Sequence, residues 1–260
     1  MGIKFELHSR QLPKPYRDLP LKATTKGCSA SVYHLGEDAI LKIFEPGENT
    51  TLERTLYRHL KALPVPQPLA YFTFKDREAL LFPKLTGKHP NTPSGTQLHS
   101  IGRFLHQLHT TNTDTLTLPA RYSHSMLYRQ IEQSHYPPLL HAYHTLALPE
   151  LQENILIHGD LFRDNALFEE ERLSGIIDWS DAALGDPLFD LAVVALDWCF
   201  TQNRLDTEKL STLIHSYRPS LQQESLLPYI RYALLYYATT RYLAQGNYTV
   251  LLERLERLHA

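Results

Sequence analysis

The chain has 260 residues, 43% of them hydrophobic and 21% charged, with a formal net charge of -2. That length fits one large domain or two modest lobes of an ordinary globular protein, and the charge provides no basic field of the kind a nucleic-acid partner needs. The longest apolar run, LFDLAVVALDWCF, is broken by Asp190 and Asp197 and is too short to span a bilayer, so no membrane partner is expected.

In chain order, TTKGCSAS (24–31) is a run of small and polar residues suited to a tight loop. SVYHL and AILKIF then read as two strands around a turn at Gly36–Asp38. Residues 49–63 place Leu52, Leu56, Leu60 and Leu63 at helical spacing, and PVPQP ends that helix in an extended stretch. YFTF and REALLFPKL predict a second hairpin. The loop GKHPNTPSG marks a change of composition, which sets an expected boundary between lobes 1–85 and 86–260. From Thr96 the pattern is helical, interrupted by the strand-like pieces ILIHGDL, NALFEE and RLSGIIDW. The last sixty residues read as packed helices, with the Tyr-rich stretch YIRYALLYYATTRYL mostly core. The fold class predicted is α+β, a strand-rich front with one helix and a larger helical back.

Two cysteines, Cys28 and Cys199, lack C-x-x-C spacing and exclude a disulfide framework, which points to a reducing, cytoplasmic setting. MGIKFELHSR has no apolar signal core, and Glu6 stands where a myristoylation signal needs Ser or Thr. The 14 histidines invite a metal reading, but neither the pair His106 and His109 nor the pair His141 and His144 belongs to an H-E-x-x-H or Cys/His cluster, so structural and surface roles are expected.

The chemistry concentrates in IHGDLFRDNALFEEERLSGIIDWSDAALGDP (157–187). Acids at the mouths of apolar strands are costly unless a cation or a substrate proton lies among them. Asn165 and Asp178 are hard oxygen donors, and so small a set suits Mg²⁺, which keeps its waters and takes further ligands from phosphates. Asp160, five residues before Asn165, could then face a substrate hydroxyl, the division of labour of kinase catalytic loops. Lys42 lies inside the apolar strand AILKIF, where an unpaired ammonium is costly, and Glu53 on the next helix is available to it. The loop holding Ser29 and Ser31 could cover phosphates with backbone N–H groups and hydroxyls, although its lone Gly27 makes neither a G-x-G-x-x-G nor a Walker A motif.

Taken in order, AILKIF, the helix with Glu53, LPVPQP, LLFPKLTG, IGRFLHQLH, HGDLFRDN and GIIDWSDAALGDPLFDLA resemble the aminoglycoside phosphotransferase and choline kinase-like family. The resemblance covers about residues 24–200 and implies the two-lobe protein-kinase-like fold. It implies ATP and Mg²⁺ as cofactors, Asp160 as catalytic base, Asn165 and Asp178 as metal ligands, and Lys42 with Glu53 as nucleotide clamp. The hinge at Phe82, Lys84 and Leu85 would offer backbone groups to adenine, while His158, Asp186 and Asp190 would be structural, the two acids tying the catalytic loop. Arg163 and Asp164 fit either a loop-stabilising pair or contacts to substrate or phosphate.

The partner implied is a small-molecule hydroxyl substrate, because the chain runs from Asp178 directly to GDPLFD without the activation segment of a protein-directed kinase. Within the family, HGDLFRDN and the later Asp197-Trp198-Cys199 resemble the bacterial homoserine kinase version, in which Arg231 and Arg241 could hold a carboxylate. The segment IIDWSDAALGDP departs from that version, and the chain is shorter than usual for it. Homoserine is the leading acceptor, against an aminoglycoside met by acids such as Asp181, Asp197 and Glu224, choline or ethanolamine in an aromatic cage drawn from fifteen Tyr, or another small hydroxyl metabolite. A nucleotide-binding pseudokinase would have lost a base or a metal ligand, and here all are present.

Overall fold

A computed structural model describes residues 5–14, 16–24, 30–46, 50–74 and 76–259. The chain divides into two compact units, Met1–Thr86 with Gly175–Ile177, and Gly87–Ser174 with Asp178–Ala260.

The first unit is built on an antiparallel sheet of five strands, β1 (Leu21–Ala23), β2 (Ala30–Leu35), β3 (Ala39–Phe44), β4 (Ala70–Phe74) and β5 (Arg77–Pro83), in the order β1-β2-β3-β5-β4. Alternation along the strands gives the sheet two apolar faces. Tyr33, Leu35, Leu41, Ile43, Ala79 and Leu81 face one side, where Leu7 and Leu12 cover them. Lys42, Leu80 and Phe82 occupy the other parity, and α1 (Thr50–His59) packs Tyr57 edge-on to Phe82 with ring centroids 4.9 Å apart. The helix is shorter than the predicted 49–63. It breaks into turns at Leu60–Leu63 because Pro64 disfavours helical geometry in the residue before it.

The second unit is mostly helical: α2 (Gly95–His109), α3 (His124–Ser134), α4 (Pro137–Thr145), α5 (Pro187–Trp198), α6 (Thr207–Tyr217), α7 (Gln223–Leu243) and α8 (Thr249–His259). Helix α2 opens on a reciprocal capping box between Ser94 and Gln97 and buries Leu98, Ile101, Leu105 and Leu108 against α6. Helix α5 is buried along its whole middle, Leu191 to Leu196, and packs on α7, which makes it the central helix of the unit. Gly102 lets α2 and α6 approach closely, since a Cβ there would stand 2.1 Å from Ser216 Oγ.

Short strands frame the loop of interest. β6 (Ile155–Ile157) pairs with β9 (Ala183–Gly185), while β7 (Ala166–Glu169) pairs with β8 (Arg172–Ile176). The segment 158–165 thus runs between two strand ends and closes in a 3-10 turn at Arg163–Asn165. Among the described residues no helix is long and apolar enough to cross a membrane.

Candidate active site

The expected residues fall into two sets, one in each unit. In the first, the Lys42 ammonium lies 2.9 Å from Glu53 Oε1, both side chains almost fully buried, and the Tyr57 hydroxyl donates to the same oxygen at 3.1 Å. Strand parity is responsible, because position 42 falls on the face that α1 covers. The cross-strand pair Ser31↔Ile43 puts Ser31 on the opposite face, where its hydroxyl accepts from the Phe5 amide at 2.9 Å. The expected contact of the Ser31 side chain with phosphates alongside Lys42 is therefore corrected to a bond that holds the N-terminal segment to the sheet. Ser29 lies outside the described residues.

At the end of β5, the Lys84 amide donates to Asp38 O at 2.7 Å, and the pair Ile40↔Phe82 follows in phase with it. The backbone groups of Phe82 and Lys84 thus point toward β3, and the Phe82 side chain is core. That alternation turns the Pro83 carbonyl to the other edge, and Leu85 N–H makes no hydrogen bond among the described residues. Of the expected hinge, Leu85 with Pro83, rather than Phe82 or Lys84, keeps backbone groups to offer.

In the second unit the loop after β6 is held by a buried hub. Asp190 on α5 is fully buried and accepts from His158 N and Gly159 N, each at 2.9 Å, and from His109 Nε2 at 3.1 Å. Burial alone would raise its pKa, but the hydrogen bond and charge of His109 and the His158 amide outweigh it and hold the carboxyl below its usual value. His158 is itself buried, its ring 4.6 Å from that of Trp179, and its Nδ1 accepts from Asp160 N at 3.3 Å. Trp198 Nε1 donates to Leu161 O at 3.2 Å. Asp190 therefore ties the loop as expected. Asp186 instead caps α5 through Leu188 N at 2.8 Å and takes Gln152 N at 3.0 Å, upstream of β6. Gly159, at φ 78, could not carry a Cβ without meeting the Tyr122 hydroxyl at 2.1 Å.

This hub presents Asp160 beside Asn165. Asn165 Nδ2 donates to Asp160 O at 2.7 Å and to Asp160 Oδ2 at 3.1 Å, so the amide nitrogen is spent on the loop and the carbonyl oxygen is left to act as a donor atom. Asp178 sits in left-handed backbone, φ 61, with Ser180 Oγ donating to its Oδ1 at 2.9 Å. A non-glycine residue held there is a mark of functional sites, and Asp tolerates that region better than most. Burial, then the charges of Asp181, Asp178 and Asp164, push the Asp160 carboxyl up to about 8, while the Tyr237 hydroxyl, which donates to Gly159 O, pulls it back. Carboxylates crowded so that one prefers its proton form a place for a cation. Two oxygen donors and no group of three metal-binding side chains among the described residues fit magnesium, completed by water and phosphate, better than zinc.

Arg163 resolves toward loop stabilisation, but its partner is Asp197 rather than Asp164. Its Nε and Nη2 clamp the Asp197 carboxylate at 3.0 and 3.1 Å, and its backbone N–H adds a third bond at 2.9 Å. Asp197 is thus spent and unavailable to a polycation. Arg231 donates to Leu258 O at 2.9 Å at the end of α8, away from the loop. Arg241 lies with its guanidinium 5.3 Å from the Phe162 ring centroid and makes no ion pair among the described residues. Tyr122, Tyr237 and His109 escaped the sequence reading as parts of the site, and Asp181 entered it only as an acid for an aminoglycoside, not as a charge on Asp160. Only His109 left a signal, a polar residue on the buried stripe of α2.

A model of the phosphotransferase enzyme family matches residues 20–221. The chain belongs to that family. Relatives of this phosphotransferase include a homoserine kinase of Pseudomonas aeruginosa strain PAO1, 32% identical over 180 residues, 61% of this chain and 56% of that one. A homoserine kinase of Polaromonas naphthalenivorans is 26% identical over 246 residues, 82% of this chain and 78% of that one. The chain thus spans little more than half the length, 56%, of the first Pseudomonas relatives it matches. Among solved structures it is similar to the GDP complex of wild-type aminoglycoside 2'-phosphotransferase-IIIa, with TM-score 0.68, 16% identity, and 92% and 91% of the two chains covered. It is also similar to a choline/ethanolamine kinase family protein from Mesorhizobium loti, with TM-score 0.68, 18% identity, and 96% and 91% covered. At those identities the likeness shows the kinase-like fold.

Proposed function

We propose that this phosphotransferase transfers the γ-phosphoryl group of ATP to the hydroxyl of a small amino-acid alcohol, with homoserine as the acceptor. The observation that carries the reading is the coupled pair Asp160 and Asn165, one amide holding the base through two hydrogen bonds, with Asp178 close enough to raise the base's pKa. Asp160 takes the hydroxyl proton, Asn165 and Asp178 hold Mg²⁺, and Lys42, fixed by Glu53, grips the nucleotide phosphates. The Pro83 carbonyl and Leu85 amide receive the adenine. When magnesium is bound it supplies neutralisation of the phosphate charge; this chain's own residues supply position.

Homoserine carries both an ammonium and a carboxylate. The ammonium suits the surplus of acids around Asp160, and the carboxylate suits Arg241, which lies over Phe162 of the 158–165 loop and makes no ion pair among the described residues. Relatives bearing the homoserine kinase name support this choice. An aminoglycoside site is less well served, because Asp197 is clamped by Arg163 and Asp181 is paired with Arg121 at 2.7 Å. An aromatic cage is also poorly served, since Tyr122 and Tyr232 pack on Phe189 and Tyr237 packs on Phe162.

The test is ADP release with Mg·ATP across homoserine, choline, ethanolamine and several aminoglycosides, with Asp160→Asn as blank. Turnover on homoserine that Arg241→Ala weakens through KM supports the reading. Turnover on choline or an aminoglycoside but not on homoserine overturns the acceptor.

A further inference from the structure

The α2–α6 face of the second unit carries a feature that phosphoryl transfer does not use. A groove of about 400 Å³ lies between these helices, within the size range of small-ligand sites. Its rim is basic. His99, Arg103 and His106 fall at i, i+4 and i+7 on the exposed side of α2, and His215 and Arg218 come from the end of α6. No carboxylate lines it, and none of the five basic groups is in an ion pair among the described residues. Cations at helix C-termini are common because they offset the carbonyl dipoles. That accounts for His106 and His215 in last turns, but not for His99 and Arg103 in the body of α2. The close approach at Gly102 is what brings the two basic rows to opposite walls of one groove.

The floor is Tyr217, buried, with the Arg218 guanidinium 5.8 Å and the His106 ring 6.0 Å from its ring centroid. Its hydroxyl lies 3.0 Å from His109 Nδ1, His109 Nε2 lies 3.1 Å from Asp190 Oδ2, and Asp190 holds the amides of His158 and Gly159. The floor of the groove is thus three hydrogen bonds, through His109 and Asp190, from the backbone that presents Asp160.

We propose that this groove binds a small phosphorylated metabolite carrying two or more negative charges, and that occupancy tightens the catalytic loop through Tyr217, His109 and Asp190. Two forked guanidiniums on facing walls suit phosphate oxygens, and the imidazole rings provide flat walls for the rest of the ligand. The inference stands apart from the choice of acceptor.

The test uses inorganic pyrophosphate at constant ionic strength, read by the ring signals of His99, His106 and His215 in the full chain. Saturable shifts are expected, weakened at least about tenfold in an Arg103→Glu/Arg218→Glu variant, because two charge-assisted contacts are lost. Both replaced side chains are exposed, so the helices keep their core. A Lys42→Met variant should leave the shifts unchanged. Saturating pyrophosphate should slow amide exchange at His158 and Gly159, and Tyr217→Phe should abolish that slowing while leaving the histidine shifts. Shifts that grow without saturating, that chloride reproduces, or that persist in the double variant overturn the site. Saturable binding without any change at His158 and Gly159 overturns the coupling.

Discussion

Asp190→Asn is the most informative single change, because the carboxylate is fully buried and takes three donors. Asparagine keeps one acceptor oxygen. Placed where Oδ2 stood, it retains His158 N and His109 Nε2, and its NH₂ then faces the Gly159 amide, donor against donor. One bond is lost and two buried donors are left without partners, at about 1–3 kcal/mol each, while the two surviving bonds fall from charge-assisted to neutral strength. The sum is about 4 kcal/mol, which for a chain of this size lowers the melting temperature by about 8–16 °C. Thermal unfolding followed by circular dichroism reads the loss, and turnover should fall with it, since Gly159, next to Asp160, is no longer held to α5. A shift under about 3 °C with turnover intact would refute the view that Asp190 anchors the loop.

With its pKa raised to about 8, Asp160 favours the folded state fully below the unfolded value near 4, and that contribution is lost as pH rises through about 8. Melting temperature without metal should therefore decline across that window, and magnesium should flatten the decline; a profile indifferent to magnesium would sink the metal assignment. Asp181→Asn removes the largest charge raising Asp160, so the acid limb of kcat/KM should move to lower pH, and an unmoved limb would exclude Asp160 as the group titrating. Gly159→Ala combines a left-handed φ with overlap on Tyr122 and should cost about 2–4 kcal/mol by chemical unfolding. Cys199 is buried with its thiol pushed well up by burial, so a Cys28→Ser variant should resist thiol reagents until unfolded.

The parts of the fold legible in the sequence are those that local periodicity encodes. Alternation in AILKIF makes an unpaired Lys42 costly, and the likeness to kinases names Glu53, on the next helix, as its partner. The pairing of β6 with β9 was not legible, because three-residue strands carry no pattern. Ser31 was misplaced because its face depends on register with β3, which the turn at Gly36–Asp38 sets and composition does not. The loop's charged partners were partly hidden for a similar reason. Charge patterning names candidates but not pairs, so Arg163 could not be assigned to Asp197, thirty-four positions on, or Arg231 to a carbonyl at the end of α8. The Tyr-rich stretch was correctly read as mostly core, yet a core tyrosine, Tyr237, also donates to Gly159 O in the 158–165 loop.

Both tryptophans of the chain belong to the second unit, and both touch the same loop: Trp179 stacks beside His158, and Trp198 donates to Leu161. Indole emission is therefore a local optical reporter, sensitive to events at residues 158–165. A denaturation curve recorded by tryptophan emission follows one unit, whereas one recorded by far-ultraviolet circular dichroism follows both. Coincident curves would mean that the two units melt as one cooperative block, and separated curves would give each its own stability without a single labelled residue.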